Sequence, residues 1–241
     1  MLVGCGGVRR SNGACASRNA TMTRSRIAIL AQAFWVALLI CGNGFAQQAP
    51  QTLSNGLQRV QGSRVALAYV RPGTDWTKYR NIMIEPLIVP ASARNAAPSG
   101  ATPEFGESYL LSDSDVSSLQ GAYAKSMHDV LTNAGYSIVT TVQPNTLIVA
   151  AEISRIILNA PVENSRPGYG GMSMTLSQGG GSMTMKAALA DATSRIVLAE
   201  AADVKYGSNM WGINNEVANL GQARFAFDQW ATDLKKRLQT P

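Results

Sequence analysis

Two methionine pairs come nearest to residues whose type and spacing could build a reactive centre. Met172-Ser173-Met174 and Met183-Thr184-Met185 are M-x-M pairs separated by a glycine-rich stretch. An extended backbone, with its period of two, puts both thioethers of each pair on one side. Soft thioethers select Cu(I), and an exported protein would meet it. The competing reading is that two adjacent strands use methionine as adaptable core filler. Filler is favoured, because no histidine or cysteine stands by to raise the affinity of a copper site.

Other chemistry is sparser still. His128 is the sole histidine, at the flank of a helical apolar face, so no second imidazole can complete a metal site or a base–orienter pair. No G-x-S-x-G elbow or Ser-x-x-Lys pair follows residue 46, which leaves nucleophilic catalysis without its parts. Asp113 and Asp115 lack the third acid and the glycine of a calcium loop and read as helix-capping residues. Between Gly168 and Gly181 there is no G-x-x-x-x-G-K-[ST], and Ser173 stands where G-x-G-x-x-G needs glycine. That segment reads as a loop, and with Trp211 it offers a contact surface centred on Gly170, Gly171, Gly179 and Gly180. Glu152, Asp191 and Glu200 remain as the pool for an enzyme using only carboxylates, which their convergence in one pocket would favour. Glu152 is expected on the solvent face of its strand, with Arg155, three residues on, facing the other way.

The elements that must position these residues follow from periodicity. Thr146 to Asn159 (TLIVAAEISRIILN) is the most apolar run after the N-terminal segment and reads as a central strand. Tyr136 to Val142 precedes it across a Pro144-Asn145 turn, which predicts antiparallel neighbours. Arg64 to Val70 and Asn81 to Val89 are further strands, with Pro86 demanding an edge position or a bulge. Met183 to Ala190 and Ile196 to Tyr206 flank the turn 191–195 and read as a hairpin. Ser112 and Asp115 form a capping box for a helix whose apolar face carries Val116, Leu119, Tyr123, Met127, Val130 and Leu131. Gln222 to Leu238 is a second amphipathic helix, with Ala223, Phe227, Trp230, Leu234 and Leu238 on one side and Lys235, Lys236 and Arg237 in the last turn. The expected fold is α+β: a mixed, largely antiparallel sheet of five or six strands with both helices packed on one face. Residues 64–241 form one domain with loops at 90–110 and 160–182, and the polar residues 47–63 are a tether.

The first 46 residues have the grammar of an export signal. Arg24 and Arg26 precede the apolar run Ile27 to Ile40, and Gly44-Phe45-Ala46 places small residues for cleavage before Gln47. An apolar run of about 14 residues is short for a membrane span, for which about 20 are needed. Translation is expected to start at Met22. Five of the 21 basic residues lie in this segment, all arginines, so the rest of the chain has 16 basic against 15 acidic residues and a net charge of +1 rather than +6. Nothing in that balance suits nucleic acid. All three cysteines, Cys5, Cys15 and Cys41, also precede Gln47, so no disulfide or thiolate site is expected beyond it. Cys41, at the end of the apolar run, is the candidate for lipidation, although isoleucine precedes it where a small residue is favoured.

Asp75 to Pro86 (DWTKYRNIMIEP), Leu111 to Leu131, Asn145 to Ala151, Ala190 to Ala202 (ADATSRIVLAEAA) and Phe227 to Leu238 (FDQWATDLKKRL) together resemble a family of Gram-negative cell-envelope proteins. Many of these are lipoproteins, known only as the domain of unknown function 3313. The resemblance implies an envelope location and supplies no catalytic residues. The expectation is therefore a periplasmic protein, attached to the outer membrane if Cys41 is acylated, that binds an envelope partner without a cofactor and without catalysis. A carboxylate-only enzyme and a methionine-based Cu(I) binder are the alternatives.

Overall fold

The computed structural model describes residues 49–99, 107–158, 163–164, 175–178, 181–207, 211–214 and 216–239. The export segment, with Cys41, lies outside them, and all that follows concerns the unit Gln48–Pro241. Along the chain run β1 (Gln58–Arg59), β2 (Leu67–Val70), β3 (Asn81–Ile84), α1 (Ala91–Arg94), β4 (Glu107–Ser108), α2 (Asp113–Asn133), β5 (Ser137–Ile138), β6 (Thr146–Ile157), β7 (Glu163–Asn164), β8 (Thr175–Gln178), β9 (Ser182–Asp191), β10 (Val197–Tyr206), β11 (Trp211–Asn214) and α3 (Glu216–Leu238). Seven strands form one sheet in the order β1-β2-β10-β9-β6-β3-β5, while β4–β7 and β8–β11 are separate two-stranded ribbons. The architecture is α+β, with a mixed, mostly antiparallel sheet and helices against it.

β6 is apolar on both faces along its first half, which suits a strand with neighbours on either side. It pairs antiparallel with β9 and parallel with β3. β9 and β10 form the expected hairpin, with Arg195 of its turn at a φ of 61°. Asp191 accepts from the backbone N–H groups of Thr193 and Ser194 and from the Tyr79 hydroxyl at 2.9 Å. Those Ser194 and Thr193 bonds, with that from Tyr79, hold the Asp191 carboxyl below its ordinary range against the opposing cost of burial.

One topological expectation fails. β5 is not the antiparallel neighbour of β6, because β3 lies between them, parallel to both. The Pro144-Asn145 turn exists, with Asn145 at a φ of 57°, but the connection passes over β3 instead of closing a hairpin. Asn81 Nδ2 donates to the Pro144 carbonyl at 3.2 Å and ties the crossing down. Pro86 does interrupt its strand: pairing with β6 lapses after Glu85 and resumes where Ile88 bridges Glu152, the bulge-like option of the two expected.

β6 itself carries a bulge between Ile153 and Arg155. The extra residue reverses the alternation. Leu147, Val149, Ala151 and Ile153 face the helices, and beyond the bulge Ile156 takes that side while Arg155 and Ile157 turn to the back. Strict period two would put Ile157 with the first set and Ile156 on the other face; it is broken at Ser154.

The helices lie on one face, as expected. Ser112 accepts from the Asp115 N–H while the Asp115 carboxylate accepts from the Ser112 N–H, a complete capping box. α2 ends where Gly135, at a φ of 88°, lets Tyr136 and Gly135 donate back to Leu131 and Thr132. α2 and α3 meet through Tyr123 and Phe227, whose rings make an edge contact at 5.6 Å. The main core joins these helices to β3, β6, β9 and β10.

Residues 49–63, expected as part of a tether, pack onto the domain instead. Leu57 is fully buried, Leu53 nearly so, and both pack on Tyr69 beneath the back of the sheet; β1 then supplies the seventh strand. Two leucines in a polar run gave no period to read. The segment 90–110 likewise holds α1, and Ala93 and Ala96 are buried within it. The segment 160–182, expected as a loop, holds β8 among its described residues, and β11 and the start of α3 precede Gln222, where the second helix was expected to begin.

Candidate functional site

Between α3 and the β2–β10–β9 side of the sheet the helix layer does not reach the strands. The sheet presents Ala68, Ala187, Ala199 and Ala201 at the middle of this space, with Val70, Val149, Met185 and Leu189 around them. Opposite them α3 offers Trp230 and Leu234, and α2 closes one side with Tyr123 and Met127. Methyl groups facing ring and leucine side chains leave a cavity of about 520 Å³. The exposed residues Arg64, Lys236 and Gln239 frame its mouth. At ~24 cal/mol per Å³, a sealed dry void of that size would cost about 12 kcal/mol, comparable to the whole stability of a domain. The space is therefore one that solvent or a ligand enters, and its volume suits a small-molecule site.

The polar groups around it fall into two sets. Asp203 accepts from Trp230 Nε1 at 2.9 Å and from the Ala66 N–H at 2.8 Å, and pairs with Lys205 Nζ at 3.0 Å. Lys205 also reaches Asp233 at 3.2 Å. Burial pulls the Lys205 pKa down, but the two aspartates more than offset it and hold the ammonium above its ordinary value. Those carboxylates are thus already satisfied. Arg237, by contrast, is half-buried, with its guanidinium carbon 5.1 Å from the centre of the Trp76 ring and Nε without a hydrogen-bond partner. Among the described residues no carboxylate lies within 4.0 Å of Arg237 or of Arg64. Burial lowers the Arg237 pKa from its ordinary value, yet a guanidinium stays charged. The Tyr123 hydroxyl is fully buried with no partner; burial first, and then the Glu85 charge, push its pKa well above the ordinary phenol value.

The residues singled out by sequence fare differently. Gly170, Gly171, Gly179, Gly180, Met172 and Met174 lie outside the described residues. Trp211 opens β11, paired with β8. Met183 and Met185 are buried in the main core, on the helix-facing side of β9, where methionine fills space between unlike neighbours. His128 is exposed, with Nδ1 3.5 Å from Asp129. Glu152 corrects an expectation: instead of reaching solvent it is only 6 % exposed, flanked by Ile88 and Lys186, and its Oε1 has no hydrogen-bond partner. Burial raises its pKa, with Lys186 opposing. The bulge puts Arg155 on the same back face as Glu152, not the opposite one. Glu152, Asp191 and Glu200 do not converge; of the three only Glu200 is close to the cavity, and its side chain turns to the back of the sheet beside Tyr69, where Oε1 accepts from Asn55 Nδ2 at 2.9 Å.

The cavity itself was missed by the sequence reading, which placed Tyr123 and Trp230 in a closed core and Arg237 at a helix terminus. The signal was present in β10, where the inward positions Ala199 and Ala201 are too short to meet a helix. No rule of periodicity reports the size of an inward residue.

The family model for "Protein of unknown function (DUF3313)" matches residues 46–234. The chain belongs to the DUF3313 family. No curated protein matches it. Among solved structures, this DUF3313 chain is similar to protein XCC0632 from Xanthomonas campestris, at 14 % identity and a TM-score of 0.39, covering 72 % of this chain and 89 % of that one. It is also similar to the PelC dodecamer from Paraburkholderia phytofirmans, at 10 % identity and 0.37, covering 70 % and 96 %. A minor lipoprotein from Acinetobacter baumannii matches at 13 % and 0.30, covering 66 % and 92 %. Scores at that level bring no function across.

Proposed function

We propose that this DUF3313 chain is an exported cell-envelope protein that acts by binding, not catalysis, and that the cavity between α3 and the sheet is its binding site. The observation that carries the reading is a cavity of about 520 Å³ walled by alanine, aromatic and aliphatic side chains, while the candidate carboxylates stay apart. Export is supported by the sequence of residues 24–46, and envelope residence by the family resemblance. The resident form would begin at Gln47, or be anchored through an acylated Cys41. Intact mass of the protein recovered from cell fractions separates these, and recovery from the cytoplasm with residues 22–46 still attached would refute export. Binding is tested by titrating 1-decanol into the chain 47–241 and following the fluorescence of Trp230, which borders the cavity. Saturable binding that Ala201→Leu weakens is expected; no saturable binding of 1-decanol or of an anionic amphiphile of the same chain length refutes the reading.

A further inference from the structure

We infer that the cavity takes a single-chain amphiphile with an anionic head, its apolar chain lying between α3 and the alanine wall and its head at Arg237. The inference rests on the binding reading above and deepens it.

The length and polarity of the space decide the tail. Trp230 and Leu234 line the cavity and Arg237 stands at the end of the same helical face. From Trp230 to Arg237 the helix rises about 10 Å, so an extended chain of that length can lie along it. The alanines opposite have no hydrogen-bonding side chains, and a sugar or nucleotide placed there would lose its water without replacement. An alkyl chain loses nothing.

The charges decide the head. Asp203 and Asp233 are occupied by Lys205, and Asp203 also by the Trp230 and Ala66 N–H groups. The lysine leaves them no vacancy for a cationic head. Arg237 and Arg64 have no carboxylate within reach among the described residues; the Arg237 Nε is shielded, which leaves the terminal N–H groups of its half-buried guanidinium to meet a head group. A planar fork of donors in that setting is matched by a carboxylate or a phosphate, which can accept two parallel bonds. A neutral head leaves the guanidinium unsatisfied, and a cationic head is repelled by it.

Calorimetric titration of the chain 47–241 with decanoate, decyl phosphate, 1-decanol and decyltrimethylammonium, each below its micellar concentration, tests this. At least one of the two anions should bind tenfold or more tighter than 1-decanol, and the cation more weakly than the alcohol; which anion wins tells a fatty acid from a phosphate-headed lipid. In Arg237→Gln the ratio of anion to alcohol affinity should fall to about one, and Arg237→Lys should restore part of it. Equal affinities for anions, alcohol and cation in the unaltered protein would overturn the head assignment and leave the binding reading standing. An anion preference that survives in a folded Arg237→Gln would overturn it as well. If 1-decanol and both anions fail to bind, the binding reading falls with it. The comparison in the unaltered protein decides the question even if the variants do not fold.

Discussion

If the alanine wall faces open space, lengthening one of its side chains should stabilise the protein. Ala201 on β10 sits between Ala187 and Ala68 of the flanking strands and points at the cavity. Ala201→Leu adds three carbons, each contributing about 0.8 kcal/mol when buried, and costs roughly 0.5–1 kcal/mol of side-chain entropy. The net is about 1.5 kcal/mol of added stability, or roughly 3–6 °C in Tm for a domain of this size. Ala231 provides the control. It lies on α3 outside the cavity lining and is fully buried within the main core, where the same substitution overpacks and should cost about 1–3 kcal/mol. Urea denaturation of the chain 47–241 and both variants measures the difference. A loss for Ala201→Leu as large as that for Ala231→Leu would mean that the wall is closed, and the site with it.

Leu57→Ala should destabilise the domain by about 2–4 kcal/mol, since Leu57 is fully buried against Leu53 and Tyr69; a change below ~0.5 kcal/mol in urea denaturation would mean that residues 47–63 can detach. Glu152→Gln tests the buried carboxyl. The folded-state pKa of Glu152 is raised above the ordinary 4.5, so its favourable contribution is complete below that pH, where the group is protonated in both states, and is lost as pH rises through the folded value. The variant should therefore be more stable than the parent at pH 7 by about 1 kcal/mol, with the advantage vanishing near pH 4. Denaturation midpoints measured from pH 4 to 8 that keep a constant offset would contradict this.

The parts of the fold legible in the sequence are those set by local rules. The capping box at Ser112 and Asp115, the β9–β10 hairpin and the apolar faces of α2 and α3 each declare themselves within a window of a few residues. What was not legible depends on partners distant in the chain. β3 inserts between β5 and β6 from some 60 residues upstream, and no turn signal records that choice. The bulge at Ser154 flips the face of everything beyond it, and Ile153, Ile156, Ile157 and Leu158 around it are apolar enough on both sides to hide the slip. Glu152 is buried by Ile88 and Lys186 from other strands, so its own strand could not announce it. The cavity is the clearest case, because it is made by the smallness of alanines on three strands that meet only after folding.

The two ends of the seven-stranded sheet bear on how the protein behaves in a crowd. Among the described residues it terminates in β1 and β5, each two residues long, while β9 and the paired parts of β6 and β10 lie inside. A free edge invites addition of a foreign strand in proportion to the unpaired backbone it displays. Here that template is too short to hold one. Self-association by edge pairing is thus opposed by the shortness of β1 and β5 and, where β10 runs past β2 at 203–206, by the inward-facing Asp203 and Lys205.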